Sequence, residues 1–260
     1  MGKVYNFFFD IDGTLFSGGE STVNKATLDA FNFARSKGCK IFINTGRTLA
    51  YVPQALKEMP EIDGFVCGCG TYVECGKKTI FERYLTNDQL YRYAKSFIDH
   101  GVDMDILFEG KDANYYYGQG WDWHDQRGFI KIDSPDFFIA AKKDLKLQKF
   151  TTHSKLDCKY DFFKDVSDEM YTMEFPRYCE SIPIGFDKGH GIKITEEILG
   201  LDPAFSVAVG DSLNDEGMLR YAATAVAMGN APDEVKAMCN IVTDTVTNNG
   251  SAKIIYKLLS

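Results

Sequence analysis

The sequence predicts an α/β fold, a parallel-sheet core with helices on both faces, into which a second, α+β unit is inserted. Three observations carry that reading. Over the first 82 residues short β-rich runs alternate with helical patterns, as βαβ units do. From Tyr84 to Ile184 the texture changes to aromatic-rich segments in which helical and strand patterns mix, and after Gly185 the first rhythm returns. The chain therefore leaves one domain and comes back to it, which divides it into a core of residues 1–83 and 185–260 and an insertion of residues 84–184.

The elements follow in order. Val4 to Phe9 reads as a strand, and its run Phe7-Phe8-Phe9 is apolar on both faces, as a central strand covered by helices on both sides must be. Helical patterns over Lys25 to Ser36 and Leu49 to Glu58 flank strands at Lys40 to Asn44 and Gly64 to Val66, and Thr71 to Glu74 with Thr79 to Arg83 reads as a hairpin. The insertion, about 100 residues, is long enough for its own core. Its helices are expected at Asp88 to Asp99, Ser134 to Lys142 and Asp157 to Val166, and its strands at Asp105 to Phe108, Ala113 to Tyr117, Lys146 to Thr152, Glu169 to Phe175 and Cys179 to Pro183. The returning core has helices at Gly189 to Leu199, Asn214 to Tyr221, Pro232 to Cys239 and Ser251 to Leu259, with strands at Phe205 to Val209 and Thr224 to Ala227.

Composition narrows the function. A formal charge of −8, with 45% apolar residues, fits a globular protein and disfavours a general surface for nucleic acid or anionic membrane, since no local Lys/Arg cluster offsets the repulsion. No apolar run reaches the roughly 18 residues of a membrane span. Seven scattered cysteines without paired Cys-x-x-Cys spacing argue for free thiols rather than a disulfide framework, and Cys67, Cys69 and Cys75 match zinc-ligand spacing only weakly. A cytoplasmic location is the expectation.

Ligand sites in parallel sheets lie beyond the carboxyl ends of the strands. After the first strand comes Asp10-Ile11-Asp12-Gly13-Thr14-Leu15. If the extended backbone continues, Asp10 and Asp12 share a side, and two carboxylates about 4 Å apart repel by about 4 kcal/mol at an effective dielectric near 20. Such a pair needs a cation, a shared proton or a functional reason. After the second strand, Asn44-Thr45-Gly46-Arg47 offers a hydroxyl and backbone N–H groups suited to an anion, although by itself Thr-Gly reads as a turn and helix-cap pair. Lys188 at a helix start opposes the macrodipole by about 0.3–1 kcal/mol, which suits either solvent or a negative partner. The strand ending at Val209 runs into Gly210-Asp211-Ser212-Leu213-Asn214-Asp215, where helix capping accounts for one acid and leaves the other unexplained. Asp10, Asp12, Asp211 and Asp215 against Lys188 leave a charge of −3, which a hard divalent cation such as Mg²⁺ offsets in large part.

In this order, D-x-D-G-T-L, T-G-R, K-G and G-D-x-x-N-D resemble the haloacid dehalogenase-like hydrolase superfamily, in particular its Cof-type sugar-phosphatase branch. Glu180 to Gly189 is similar to the branch's return from cap to core, with Ser181 in place of the usual Ile. Gly68-Cys69-Gly70-Thr71 stands where S-N-G-A is usual, and Asn249-Gly250-Ser251-Ala252 where D-G-x-A is usual. The resemblance implies a Rossmann-like core and an inserted cap domain that sets substrate specificity. It also implies a Mg²⁺-dependent phosphatase acting on small phosphate esters, most of all sugar phosphates, through an aspartyl-phosphate. By the same resemblance Asp10 is the nucleophile and Asp12 the general acid/base, while Thr45, Gly46, Lys188 and Asn214 hold phosphate. Asp10, the backbone carbonyl of Asp12 and Asp211 bind the metal, with Asp215 behind them. Within the insertion, Trp121, Trp123, His124 and Glu180 are candidates for contacting the non-reacting part of the substrate. A phosphotransferase related to phosphohexomutases and a non-catalytic phosphate-ester sensor are the alternatives.

Overall fold

A computed structural model describes residues 3–17, 22–101, 105–118, 128–153, 161–175 and 178–260. The chain divides into two compact units, one made of Met1–Arg47, Tyr51–Glu82 and Phe186–Ser260, the other of Thr48–Ala50 and Arg83–Gly185.

The first unit is built on an eight-stranded sheet in the order β14-β13-β12-β1-β2-β3-β4-β5. Its strands are β1 (Asn6–Phe9), β2 (Lys40–Asn44), β3 (Gly64–Cys67), β4 (Tyr72–Cys75), β5 (Lys78–Glu82), β12 (Ser206–Gly210), β13 (Thr224–Ala227) and β14 (Ile241–Val242). Pairing is parallel from β14 through β3, and the β4/β5 hairpin extends the sheet antiparallel. The three phenylalanines of β1 are fully buried and alternate between faces: Phe9 meets Phe31 of α1 (Lys25–Ser36) with ring centroids 5.2 Å apart, and Phe8 stacks on Phe42 at 5.0 Å. Each such ring contributes roughly 1.5–3 kcal/mol by leaving water. On the Phe8 side lie Ile192 of α6 (Lys188–Leu199) and Met218 of α7 (Glu216–Tyr221). Phe33 of α1 meets Tyr256 of α8 (Gly250–Leu259) with centroids 5.3 Å apart. Helices thus cover both faces, and β1, flanked by β12 and β2, stands where the chain switches direction across the sheet.

The second unit has a six-stranded sheet in the order β10-β11-β9-β6-β7-β8. The strands are β6 (Asp105–Gly110), β7 (Asn114–Tyr117), β8 (Ile130–Lys131), β9 (Leu147–His153), β10 (Met170–Phe175) and β11 (Tyr178–Pro183), antiparallel except between β7 and β8. Its core gathers Phe97 of α3 (Asn87–Asp99), Phe138 of α4 (Asp136–Ala140) and Phe162 of α5 (Phe162–Val166) with Ile106, Phe108 and Phe150 from the strands. Thr86 caps α3 by accepting from Gln89 N–H at 3.1 Å, and the Gln89 side chain returns a bond to Thr86 N–H.

Several boundaries differ from the sequence reading. The helix expected over Leu49 to Glu58 is a single 3₁₀ turn (Leu49–Tyr51) and a short α2 (Gln54–Lys57), because Pro53 lacks an N–H and disfavours helical backbone in the residue before it. The short strands β8 and β14 carry too little pattern to be read locally. Cys39, Cys67, Cys69, Cys75 and Cys239 are free thiols, and Cys179 is disulfide-bonded. Among the described residues no helix is long and apolar enough to cross a membrane.

Candidate active site

The site stands at the carboxyl ends of β12, β1 and β2. Asp10 follows β1 directly and its N–H still donates to the Val209 carbonyl at 3.0 Å, so the carboxylate issues between β1 and β12. The strand ends there. The Ile11 carbonyl accepts from Leu15 and Phe16 N–H groups at 2.9 and 3.0 Å, which closes a tight turn over residues 11–16. β1 ends at Phe9 and Ile11 is a bend, so the continued strand on which the sequence reading conditioned the placement of Asp12 is not present. Gly13 sits in this turn at φ +83°, and a Cβ on it would lie 2.2 Å from Asp211 Oδ2. The glycine is needed both for its backbone angle and for the room it leaves that carboxylate.

Lys188 opens α6 behind its cap, Asp187, whose carboxylate accepts from His190 N–H at 2.6 Å. Its side chain is fully buried, and Nζ donates to Asp10 Oδ1 at 2.6 Å, to Asp215 Oδ1 at 2.5 Å and to Asn214 Oδ1 at 3.3 Å. Buried Asn44 donates to the Lys188 carbonyl at 2.9 Å and so ties α6 to the end of β2. Asp215 serves two purposes at once: Oδ1 faces Lys188, while Oδ2 accepts from the N–H groups of Asp211 and Ser212 at 2.9 and 3.0 Å. That is the capping acid of the sequence reading. Asp211 is the other acid, and its Oδ1 accepts from Thr14 Oγ1 at 3.2 Å.

Carboxylate oxygens of Asp10, Asp211 and Asp215 lie within 4.8 Å of one another, the one such group of potential metal ligands among the described residues. Burial, reinforced by the charges of Asp215 and Asp211 and opposed by Lys188, pushes the Asp10 carboxyl up to about 7. Burial and Asp215 push Asp211 up to about 6 against the Thr14 hydrogen bond. Burial works against the Lys188 charge, yet Asp10 and Asp215 hold its ammonium above the ordinary lysine range. Three acids thus share one base in a low-dielectric cleft, and the donors are all oxygens. A hard divalent cation fits that set, and the space that Gly13 leaves beside Asp211 fits it as well.

The remaining predicted residues fall at the end of β2. Thr45 is buried, its N–H donates to the Val66 carbonyl at 2.9 Å, and its Oγ1 accepts from Arg47 N–H at 3.2 Å. No α-helix starts at Thr45-Gly46, since the first helical turn is the 3₁₀ turn at Leu49–Tyr51; the helix-start anion site is not formed in that way, and Thr45 N–H is already paired. Asn214 accepts from both Lys188 Nζ and Ser212 Oγ (2.7 Å). Asp12, with its side chain 61% exposed, forms a two-pronged ion pair with Arg47: Nε to Oδ2 at 2.9 Å and Nη2 to Oδ1 at 2.6 Å.

Sequence reasoning passed over Arg47, Thr14, Asn44 and Gly189 as site residues. The signal for Arg47 lay in T-G-R itself. For Gly189 it lay in K-G: a Cβ there would meet the Gly217 carbonyl at 2.4 Å, so the glycine lets α7 approach closely enough for Asn214 and Asp215 to reach Lys188. Of the insertion candidates, Trp121, Trp123 and His124 lie outside the described residues. Glu180 is buried on β11, ion-paired with Lys149, which also lies 3.4 Å from Glu109.

Known proteins resemble this chain along nearly its whole length. The family model described as haloacid dehalogenase-like hydrolase matches residues 7–255. The pyridoxal phosphate phosphatase YbhA of Escherichia coli (strain K12) is 29% identical, with 96% of this chain and 97% of the relative covered. The 5-amino-6-(5-phospho-D-ribitylamino)uracil phosphatase YcsE of Bacillus subtilis (strain 168) is 26% identical over 95% of this chain and 92% of its own. Among solved structures, the HAD subclass IIB sugar phosphatase BT4131 superposes with a TM-score of 0.80 at 24% identity, covering 98% of each chain.

Proposed function

The chain belongs to the haloacid dehalogenase-like hydrolases, and from that premise we propose that it is a Mg²⁺-dependent phosphomonoesterase that cleaves small phosphate esters, sugar phosphates foremost, through a phosphorylated Asp10. One observation carries the reading: a buried aspartate at the end of the central strand, bonded to a buried lysine and grouped with two further aspartates. The names of YbhA, YcsE and BT4131 support phosphate esters of small hydroxylated molecules as the substrate class.

In the first half-reaction a carboxylate oxygen of Asp10 attacks phosphorus, the bond from phosphorus to the ester oxygen breaks, and that oxygen takes a proton from Asp12 to leave as an alcohol. In the second, water attacks phosphorus and gives a proton to Asp12, and the bond between phosphorus and Asp10 breaks to release inorganic phosphate. Lys188 holds the attacking carboxylate and offsets negative charge as phosphate approaches, together with Thr45, Gly46 and Asn214. Asp10, the Asp12 carbonyl and Asp211 would hold Mg²⁺, with Asp215 anchoring the loop that carries Asp211. Bound by these residues, the ion would supply charge neutralisation for the phosphoryl group.

A turnover screen with Mg²⁺ over sugar phosphates, pyridoxal phosphate, ribityl phosphates and nucleotides tests this reading. Release of inorganic phosphate, abolished by chelator and restored by Mg²⁺, is the expected result. Full activity in excess chelator would overturn the metal assignment, and accumulation of an isomeric sugar phosphate would point to phosphoryl transfer in place of hydrolysis.

A further inference from the structure

The ion pair between Asp12 and Arg47 is placed oddly for a stabilising contact. The Arg47 side chain is 25% exposed and that of Asp12 61%, and exposed pairs contribute little to stability. The geometry, however, is specific. A rigid guanidinium fork takes both carboxylate oxygens, which fixes the plane of the carboxyl group as well as its position. The fork is itself braced. Arg47 Nη1 donates to the Tyr51 carbonyl at 3.4 Å and the guanidinium carbon lies 5.0 Å from the Tyr51 ring centroid. Its backbone N–H donates to Thr45 Oγ1, and its carbonyl accepts from Gly68 N–H at 2.8 Å. The loops after β2 and β3 therefore hold an arginine whose charged end grips a residue after β1.

We propose that Arg47 is a positioning residue for Asp12, fixing the carboxyl group that exchanges protons with the leaving oxygen and the attacking water. This inference rests on the reading of Asp12 as the general acid/base. An exposed aspartate has several rotamers open to it, and ordering one of them in advance removes an entropic penalty from the proton-transfer step. Arg47 also changes the charge count. With it the four acids face two bases and the residual −2 matches one divalent ion, where Lys188 alone leaves −3.

The test is a leaving-group series, from nitrophenyl phosphate through phenyl phosphate to a sugar phosphate, run with wild type, Arg47→Ala, Arg47→Lys, Asp12→Asn and the Arg47→Ala/Asp12→Asn double variant. General acid–base catalysis contributes about 10²–10⁴-fold, and losing the orientation alone forfeits part of it. Arg47→Ala is therefore expected to lose about 10- to 100-fold in kcat on the sugar phosphate and less than about threefold on nitrophenyl phosphate. KM and the inhibition constant of inorganic phosphate should shift by no more than about twofold. Arg47→Lys, which keeps the charge without the fork, should fall between, and the double variant should be no slower than Asp12→Asn alone. A thermal midpoint for each variant shows that it is folded. A uniform loss across the series, or a rise in KM and in the phosphate inhibition constant, would overturn the inference and make Arg47 a phosphate or substrate contact. If Asp12→Asn is steep in leaving group and Arg47→Ala is flat, the inference alone fails. If Asp12→Asn is itself flat, the role of Asp12 fails and the inference with it.

Discussion

Lys188 shows how much of the site depends on single atoms. One ammonium bridges Asp10 and Asp215, so each of the three needs the other two. Asp10→Asn is expected to abolish turnover of every ester, whereas Asp12→Asn should impair sugar phosphates far more than activated aryl phosphates; equal losses on both substrates would contradict the division of roles. Asp215→Asn removes a buried charge from Lys188 and weakens the acceptor for the Asp211 and Ser212 N–H groups. Lys188 keeps Asp10, so the loss falls on the two backbone N–H groups that Asp215 holds, and a fall in thermal midpoint, measured by calorimetry with and without Mg²⁺, is expected. These acids and the lysine were legible in the sequence because each follows a strand or opens a helix within a few residues. The partner of Asp12 was not, since a contact across 35 residues between two loops leaves no local pattern.

At the scale of elements, glycines set how closely helices and loops approach. Gly189→Ala would press a methyl group on the Gly217 carbonyl and push α7 from α6, so kcat should fall at least about tenfold with a smaller change in thermal midpoint. Strand order, the central place of β1 and the hairpin were readable because apolar runs and turn residues are local signals; β8 and β14 were not, as pairs of residues held in place by their neighbours. Helix α6 also carries a buried carboxyl, Glu196, which accepts from Tyr221 Oη at 2.9 Å. Burial raises its pKa above the ordinary glutamate value despite that bond. The unfolded chain therefore releases this proton more readily than the folded one, and ionisation disfavours the folded state as pH rises through the raised value. Glu196→Gln keeps an acceptor for Tyr221 without the charge. It should raise the thermal midpoint at pH 7–8, with the gain shrinking as pH falls toward the ordinary glutamate range. An equal gain at all pH values would show that charge is not the cause.

For the molecule as a whole, Asp10, Asp12, Lys188, Asp211 and Asp215, the groups proposed to react or to hold the metal, lie in one unit, while the candidates for substrate selection lie in the inserted segment. Transfer from a cleft that grips only phosphate is indifferent to the alcohol, so selectivity is expected from residues that touch the rest of the ester. Trp121→Ala, Trp123→Ala and His124→Ala should change the ranking of kcat/KM among sugar phosphates more than among small aryl phosphates. Glu180→Ala carries a second expectation, because it strips a partner from buried Lys149: its thermal midpoint should fall as well. If none of the four alters the ranking, the core loops select the substrate. The claim on which all of this depends is that phosphorus is bonded to Asp10 during turnover. Acid-quenching the enzyme during turnover, reducing the acyl phosphate with borohydride and sequencing the peptides tests it most directly. Conversion of Asp10 to homoserine, in wild type with substrate and not in Asp10→Asn, is the expected result. An unmodified Asp10 in an enzyme that releases the alcohol in a burst ahead of phosphate, or undiminished turnover by Asp10→Asn, would contradict it.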